Sequence, residues 1–303
     1  MDRRTFFKKT LGASAGIGTL FTTGGYRELL SYPLLPYDLV AVKGGMPDVM
    51  FDKGIEALGG IGAFVKKGAK VAIKPNIGWD VSPERGGNTN PKLIARIIEH
   101  CLNAGAKEVY VFDHTCDNWQ KCYNTSGIES AVKAAGGKIA PAHSESYYQE
   151  VTITNGKSLK KAKEHELILG SDVFINVPIL KNHGGATVTI CMKNLMGNVW
   201  DRRYWHGNDL HQCIADFSTF RKPTLNVVDA YYVMKTNGPR GVSVDDIVTM
   251  KAQIISTDIV AADAAGTKLM GLQPDDVRHI TIAAEMSVGR KDLDKLNIKR
   301  ITV

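Results

Sequence analysis

The sequence predicts an α/β fold, with a largely parallel sheet that carries helices on both faces. Three observations predict it: short apolar runs, amphipathic stretches between these runs, and polar residues where the runs end. Short buried strands that alternate with helices are typical of a parallel sheet covered on both sides. The chain has 303 residues. We therefore expect residues 31–303 to form a single α/β domain, with two lobes as an alternative organisation.

The first half of the chain supplies three strand–helix units. Apolar runs predict strands over 38–43, 70–75 and 108–113. Helical spacing of apolar residues predicts helices over 51–64, 91–104 and 127–135. Asn90 and Pro91 are typical of a helix cap and a first helical turn, and glycines follow the second and third helices.

The second half continues the alternation. It contains predicted strands over 151–154, 172–178, 224–229, 252–256 and 298–303. Helices are predicted over 159–169, 210–220, 259–270 and 275–286. The Gly-rich, polar stretch 77–90 is predicted to be a lid or ligand loop.

Polar side chains stand at four of the predicted strand ends. In open α/β sheets, ligands bind beyond the carboxyl ends of the strands. We therefore expect one common site at this edge, built from residues of these strand ends: Lys74, Asn76, Asp113, His114, Lys181, His183 and Asp229.

The segment 176–198, NVPILKNHGGATVTICMKNLMGN, carries the densest group of site candidates. Its glycines let a backbone approach a ligand, its lysines supply positive charge, and its histidine can exchange a proton. We expect a cofactor or anion to contact Lys74, Asn76, Lys181, Gly184, Gly185, Lys193 and Asn194. His183, His114 and Asp113 are the candidate catalytic residues. The alternative for His183 is a solvent-exposed loop histidine.

A metal ion is a second use for the strand end at Asp113 and His114. Cys116 and Asp117 follow closely, so the ligand types suit zinc or iron, although adjacent strand residues point to opposite faces. A polar turn is the alternative. None of the five cysteines forms a C-x-x-C pair, so no iron–sulfur motif is present. In an exported chain, Cys116 and Cys122 could pair as a disulfide.

The N-terminus reads MDRRTFFKKTLGASAGIGTLF. Residues 2–8 resemble the twin-arginine (Tat) export motif, and an uncharged stretch over 11–21 follows that is too short for a membrane span. We expect residues 1–30 to be a signal segment that engages the twin-arginine export machinery, and the protein to be exported to the periplasm or cell envelope. An ordinary basic helix is the alternative, and cleavage or retention as a membrane anchor is open.

Four segments together resemble the domain of unknown function 362 family. They are VAIKPNIG at 71–78, TNPKLIARIIEHCLNAGAKEVYVFD at 89–113, INVPILKNHGGATVTICMKNLMG at 175–197 and IVAADAAGTKLMGLQPDDVRHITIAAEMSVGR at 259–290. The resemblance implies no settled reaction. Many relatives carry ferredoxin-like cysteine motifs, which this chain lacks.

The order of His183, Gly184-Gly185, Thr187, Lys193 and Gly197 is also remotely similar to a segment of the lactate racemase family, which uses a nickel pincer nucleotide. This similarity implies His183 as an acid–base group, Lys193 as the attachment lysine and His114 as a second histidine. A nickel site is therefore one expectation for an otherwise unknown cofactor, beside the iron site that the residues around Asp113 and His114 allow. The Thr-Gly-Gly run typical of that family is missing here.

Charge favours a small anionic partner. The formal net charge is +7, of which the first nine residues contribute +3. No run of lysine and arginine is dense enough to indicate nucleic acid. We expect an exported enzyme or redox-associated protein with a basic pocket for an anionic ligand or cofactor. The alternative is a non-catalytic periplasmic ligand-binding or scaffold protein, with 200–205 as its partner surface.

Overall fold

The computed structural model describes residues 35–303, and these form one compact unit. The predicted signal segment 1–30 lies outside the described residues. The central sheet has ten strands, and two further strands form a separate ribbon. In chain order the strands are β1 Leu39–Lys43, β2 Lys70–Pro75, β3 Glu108–Val111, β4 Lys138–Ile139, β5 Tyr148–Thr152, β6 Lys161–His165, β7 Val173–Val177, β8 Ile179–His183, β9 Thr187–Thr189, β10 Leu225–Met234, β11 Ile247–Ser256 and β12 Ile298–Thr302.

The strand order across the main sheet is β12-β1-β11-β10-β7-β2-β3-β4. Strands β10, β7, β2, β3 and β4 run parallel, while β11 is antiparallel to both of its neighbours. β8 pairs with β10 in parallel and forms a hairpin with β9. The largely parallel sheet is therefore confirmed, and the carboxyl ends of β2 and β7 meet at one edge.

Together with short 3-10 turns, ten α-helices occur within residues 35–303. They are α1 Pro47–Ala57, α2 Pro91–Asn103, α3 Trp119–Thr125, α4 Ile128–Ala134, α5 Glu166–Leu169, α6 Cys191–Asn194, α7 Arg203–Gly207, α8 Leu210–Phe217, α9 Ile259–Leu269 and α10 Arg278–Glu285. Two apolar cores result. One contains apolar residues of α1, α2 and α4, and the other contains those of α8, α9 and α10. Helices thus cover both faces, as predicted.

Two predicted helices need correction. The predicted helix 159–169 contains the strand β6, whose residues pair antiparallel with β5, and only Glu166–Leu169 is helical. The predicted helix 51–64 begins earlier, with Pro47 in its first turn, and ends at Ala57. It ends there because Gly59 and Gly60 have φ of 94° and 81°, outside the helical region.

The segment after β7 is more regular than the sequence indicates. The predicted strand 172–178 continues past Pro178 as β8, so Lys181 and His183 lie on a strand rather than in a loop. No helix among residues 35–303 is long and apolar enough to cross a membrane.

Candidate functional site

The predicted strand-end residues, except Asp229, come together around one cavity of about 630 Å³. It lies where β2, β8, α6 and the segment after β3 meet. Of the predicted site residues, the cavity is lined by Lys74, Asn76, Asp113, His114, Lys181, His183, Lys193 and Asn194. Gly184 and Gly185 do not line it.

Lys74 and Asp113 form a buried ion pair at the floor of the cavity. Lys74 Nζ lies 3.0 Å from Asp113 Oδ1, and both side chains are almost fully buried. The other carboxylate oxygen accepts a 2.6 Å hydrogen bond from the backbone N–H of Ile77. Burial lowers the pKa of Lys74, and Asp113 opposes that shift. Asp113 therefore acts as the counterion of Lys74 rather than as a free base.

Gly197 makes room for this ion pair. A Cβ at Gly197 would lie 1.9 Å from Asp113 Oδ1 and 2.5 Å from Lys74 Nζ. These distances are far below van der Waals contact, so only glycine fits beside the pair.

Asn194 organises the side chains around Lys74. Its Oδ1 accepts hydrogen bonds from Lys74 Nζ at 2.7 Å and from Asn76 Nδ2 at 2.9 Å. Its Nδ2 donates to Asn176 Oδ1 at 2.9 Å. Asn76 Oδ1 in turn accepts from Lys181 Nζ at 3.1 Å. One network of side-chain amides therefore holds the ammonium groups of two buried lysines, Lys74 and Lys181, in fixed positions.

Three buried or half-buried cations of the cavity have no carboxylate partner among residues 35–303. Lys181 Nζ donates to Asn76 Oδ1 and to the carbonyl of Gly87. Arg202 donates to the backbone carbonyls of His114 and Thr115, each at 2.8 Å. The ammonium of half-buried Lys193 makes neither a hydrogen bond nor a salt bridge within the described part of the chain.

Burial and mutual repulsion hold the lysine pKa values low. Desolvation lowers the pKa of Lys181 to about 7, with Lys193 and Lys74 adding to the shift. Desolvation lowers the pKa of Lys193 to about 8, helped by Arg202 and Lys74. Near neutral pH Lys181 is therefore only partly protonated and Lys193 is mostly protonated, and an anion in the cavity would favour the charged form of both.

His183 is held as a neutral hydrogen-bond donor. Its Nδ1 lies 3.1 Å from the backbone N–H groups of Gly185 and Ala186, so Nδ1 accepts. The ring proton then sits on Nε2. Desolvation, with Lys193 and Lys181 nearby, lowers the pKa of His183 to about 3. Near neutral pH His183 therefore offers an N–H rather than a lone pair.

His114 has the opposite arrangement. Its Nδ1 lies 2.9 Å from the carbonyl oxygen of Val199, which can only accept, so Nδ1 carries the proton. The neutral ring then keeps a lone pair on Nε2. Desolvation lowers the pKa of His114, with a contribution from Arg202. The ring stacks on Trp200 with centroids 4.8 Å apart, which fixes its orientation.

The remaining predicted residues have supporting roles. Gly185 contributes its N–H to His183, and a Cβ at Gly184 would meet no protein atom within 4 Å, so the packing of the described residues does not itself require glycine at 184. Buried Asp229 accepts from the backbone N–H of Asn90 at 2.7 Å and orients the start of α2. In the predicted lid loop 77–90, the fully buried Thr89 donates to a β7 carbonyl, so this part is packed against the sheet.

Several lining residues are not among the predicted site residues. They are Gly78, Trp79, Cys116, Thr189, Met196, Gly197, Arg202, Arg203, His206 and Pro239. Arg202, Arg203 and His206 lie in the charged segment that follows the 176–198 motif. The two adjacent arginines are the sequence feature that could have indicated this part of the site. At the end of the predicted partner surface 200–205, Trp205 is buried and packs against Phe217, so this ring is not available to a partner. The rest of 200–205 stays a prediction.

The cysteines and acidic residues do not form a metal centre here. Within residues 35–303 no group of three or more His, Cys, Asp or Glu side chains is placed to hold a metal ion. The metal interpretation of the Asp113–Asp117 stretch therefore lacks a donor set. Cys116 and Cys122 are both free thiols, one exposed and the other buried, so the disulfide expected for an exported chain is not formed.

Known proteins resemble this chain in sequence or in fold. A thylakoid-associated protein of Synechocystis sp. is 26% identical over 243 residues, covering 78% of this chain and 73% of the relative. The lactate racemase apoprotein from Thermoanaerobacterium thermosaccharolyticum matches with a TM-score of 0.48 and 12% identity, over 76% of this chain and 56% of that one. A protein from Thermotoga maritima matches with a TM-score of 0.41 and 10% identity, over 80% and 60%.

The chain thus spans less than two thirds of either solved structure. The family resemblance carried by the strand-end segments is confirmed. Residues 71–268 match the family described as Domain of unknown function (DUF362), and because this match covers more than half of the 303 residues, the chain belongs to the DUF362 family.

Proposed function

We propose that the cavity binds an anionic small molecule and that the protein is an enzyme acting on it. One observation carries the proposal: Lys181, Lys193 and Arg202 line a single cavity with no carboxylate partner among residues 35–303. Cations withdrawn from water are costly unless a negative charge compensates them. An anionic ligand supplies that charge.

Each side chain has a distinct part in this proposal. Lys193 and Arg202 bind the anion, while the more deeply buried Lys181 adds positive charge to the cavity. His183 donates a hydrogen bond from Nε2, and His114 accepts a proton at Nε2. A donor and an acceptor histidine on one cavity, beside lysines with lowered pKa values, are typical of acid–base catalysis.

Ligand recovery tests the binding. Protein purified from its native host is denatured, and the released small molecules are identified by mass spectrometry together with an elemental analysis. We expect an anionic compound from the wild type and from Lys53→Ala, which removes an exposed lysine of α1. We expect at least a tenfold lower yield from Lys193→Ala, corresponding to about 1.4 kcal/mol. Equal yields from all three would refute the site.

A second measurement separates an enzyme from a binding protein. The recovered compound is incubated with wild type and with His114→Ala, and its mass is followed in D2O. The enzyme proposal expects chemical change or deuterium uptake with the wild type only, while both proteins bind the compound. Binding without change in either protein would support the non-catalytic periplasmic binding or scaffold protein instead.

Export is a separate part of the proposal. The order of paired arginines and an uncharged stretch supports the twin-arginine route, and a relative is named as thylakoid-associated. The double variant Arg3→Lys with Arg4→Lys is expected to stay in the cytoplasm, and cell fractionation measures where it is. Arg27→Lys is the control that keeps export. Carbonate extraction of the exported protein distinguishes a membrane anchor from a cleaved signal.

A further inference from the structure

We infer that the ligand presents a doubly charged phosphoryl group, as in a phosphate monoester, to Lys193, Arg202 and His183. The inference rests on the proposed anion-binding function and narrows the ligand class. It follows from the charge balance of the cavity, from its excess of hydrogen-bond donors and from one buried hydroxyl without a partner.

The charge balance requires more than one negative charge. Among residues 35–303, Asp113 is the only acidic side chain that lines the cavity, and it is committed to Lys74 at 3.0 Å. Lys181, Lys193 and Arg202 are left without a carboxylate in the described part of the chain. A single carboxylate would offset one of these three charges, whereas a dianion offsets two.

The cations act on one another, so they share one region of the cavity. Arg202 contributes to the lowered pKa of Lys193, and Lys193 contributes to those of Lys181 and His183. Exposed Arg203 lies farther out on the same lining. Charges that repel each other at close range favour a compact dianion over two separated monoanions.

The hydrogen-bonding groups point the same way. An ammonium offers three donors, and that of Lys193 has no partner within residues 35–303. His183 adds its Nε2 proton. Arg202 uses only part of its guanidinium, on two backbone carbonyls and on Cys116 Sγ at 3.6 Å. His114 is an exception among these groups, because its Nε2 lone pair is an acceptor. A phosphate monoester dianion has three terminal oxygens that only accept, which suits such a donor-rich wall.

Thr189 gives an independent indication. This residue lines the cavity and is only 3% exposed, yet its Oγ1 has no hydrogen-bond partner among the described residues. A buried hydroxyl without a partner costs free energy, and a ligand oxygen would satisfy it. The hydroxyl adds a neutral donor to the charged ones.

A pair of small probes tests the inference. Methyl phosphate carries close to two charges near pH 7.5 and dimethyl phosphate carries one, although both share the phosphoryl core. Binding is measured by calorimetry in low-chloride buffer, with acetate and succinate as further probes. We expect methyl phosphate to bind at least about tenfold more tightly than dimethyl phosphate, acetate or succinate.

Variants locate the binding. Lys193→Met and Arg202→Met are expected to weaken methyl phosphate binding about tenfold or more, and Lys53→Met to leave it unchanged. Circular dichroism checks that each variant is folded. Methyl phosphate binding that survives both cavity variants would overturn the inference, because the dianion would then bind elsewhere.

The probe set also separates the two proposals. If dimethyl phosphate or acetate binds within about threefold of methyl phosphate, the dianion inference is wrong while anion binding stands. Tighter binding of succinate also overturns it, in favour of a dicarboxylate. If no probe binds but native protein releases an anionic compound of another class, only the inference fails. If neither occurs, both fail.

Discussion

Two lysines of the same cavity, Lys74 and Lys193, stand in opposite electrostatic situations. Lys74 is fully buried, yet it has a carboxylate at 3.0 Å and an amide oxygen at 2.7 Å. Lys193 is less buried, but it has no such partner among residues 35–303. The difference indicates that the first lysine belongs to the framework of the site and the second to its ligand-binding face. Variants of framework residues and of binding-face residues test whether the two lysines differ in this way.

The largest effect is expected from breaking the framework pair. Asp113→Ala leaves the ammonium of Lys74 buried without a counterion, and removing one partner of a buried pair costs about 3–5 kcal/mol. Urea unfolding followed by circular dichroism measures the loss. Asp275→Ala, which removes an exposed carboxylate paired with Lys291, is the control and should cost far less, because solvent screens an exposed pair. Similar losses in both variants would place Lys74 outside the framework.

A smaller loss is expected from Gly197→Ala. The new methyl group would overlap Asp113 and Lys74, and overpacking of this kind costs about 1–3 kcal/mol. Gly184→Ala is the matched control, since its methyl group meets nothing within 4 Å and the change should stay within about 0.5 kcal/mol. Urea midpoints of the two variants give the comparison. If Gly197→Ala is as stable as Gly184→Ala, the close packing beside the pair is refuted.

The uncompensated lysines predict a pH dependence of stability. The pKa of Lys181 is about 7 in the folded protein and about 10.4 in an unfolded chain. Between these values the unfolded state binds more protons, so the free energy of unfolding rises with pH, by up to about 1.4 kcal/mol per pH unit. Below pH 7 the penalty is constant.

Lys181→Met removes this contribution, so the difference in unfolding free energy between wild type and variant should move in favour of the wild type from about pH 7 to 9. The variant also loses the hydrogen bonds from Lys181 to Asn76 and to the carbonyl of Gly87. That loss lowers its stability by the same amount at every pH, so it does not change the slope of the pH profile. Parallel pH profiles for the two proteins would contradict the low pKa of Lys181.

The smallest effect is spectroscopic and concerns the two histidines. Nitrogen NMR of the imidazoles should find the ring proton of His183 on Nε2 and that of His114 on Nδ1. His183, with a pKa of about 3, should not titrate between about pH 4 and 8. His114→Gln and His183→Gln assign the signals. A His183 that titrates near its ordinary pKa would remove its role as a neutral donor.

Much of the fold and of the site follows from local sequence patterns. Apolar runs locate the parallel strands, and the polar residues that follow them meet at one edge because parallel strands end together. Lys74, Asp113 and His183 are predicted this way. The motif at 176–198 also predicts Lys193 and Asn194 as site residues, because both stand in an otherwise apolar stretch.

The remaining features depend on contacts between distant parts of the chain. Arg202 reaches the site through hydrogen bonds to carbonyls 88 and 87 residues earlier. The commitment of Asp113 to Lys74 and the choice of ring nitrogen in each histidine depend on atoms that no local pattern specifies. The helix predicted over β6 is wrong for the same reason, since the partner strand β5 decides the conformation of β6.

The lowered pKa values of the two cavity amines have one more consequence. A dianion that settles there must draw hydrogen ions from the surrounding water to complete the charge on Lys181 and Lys193. Its arrival would turn a weakly buffered solution more alkaline, and its departure would acidify it again. Occupancy of this protein would then follow the acidity of whichever compartment holds it.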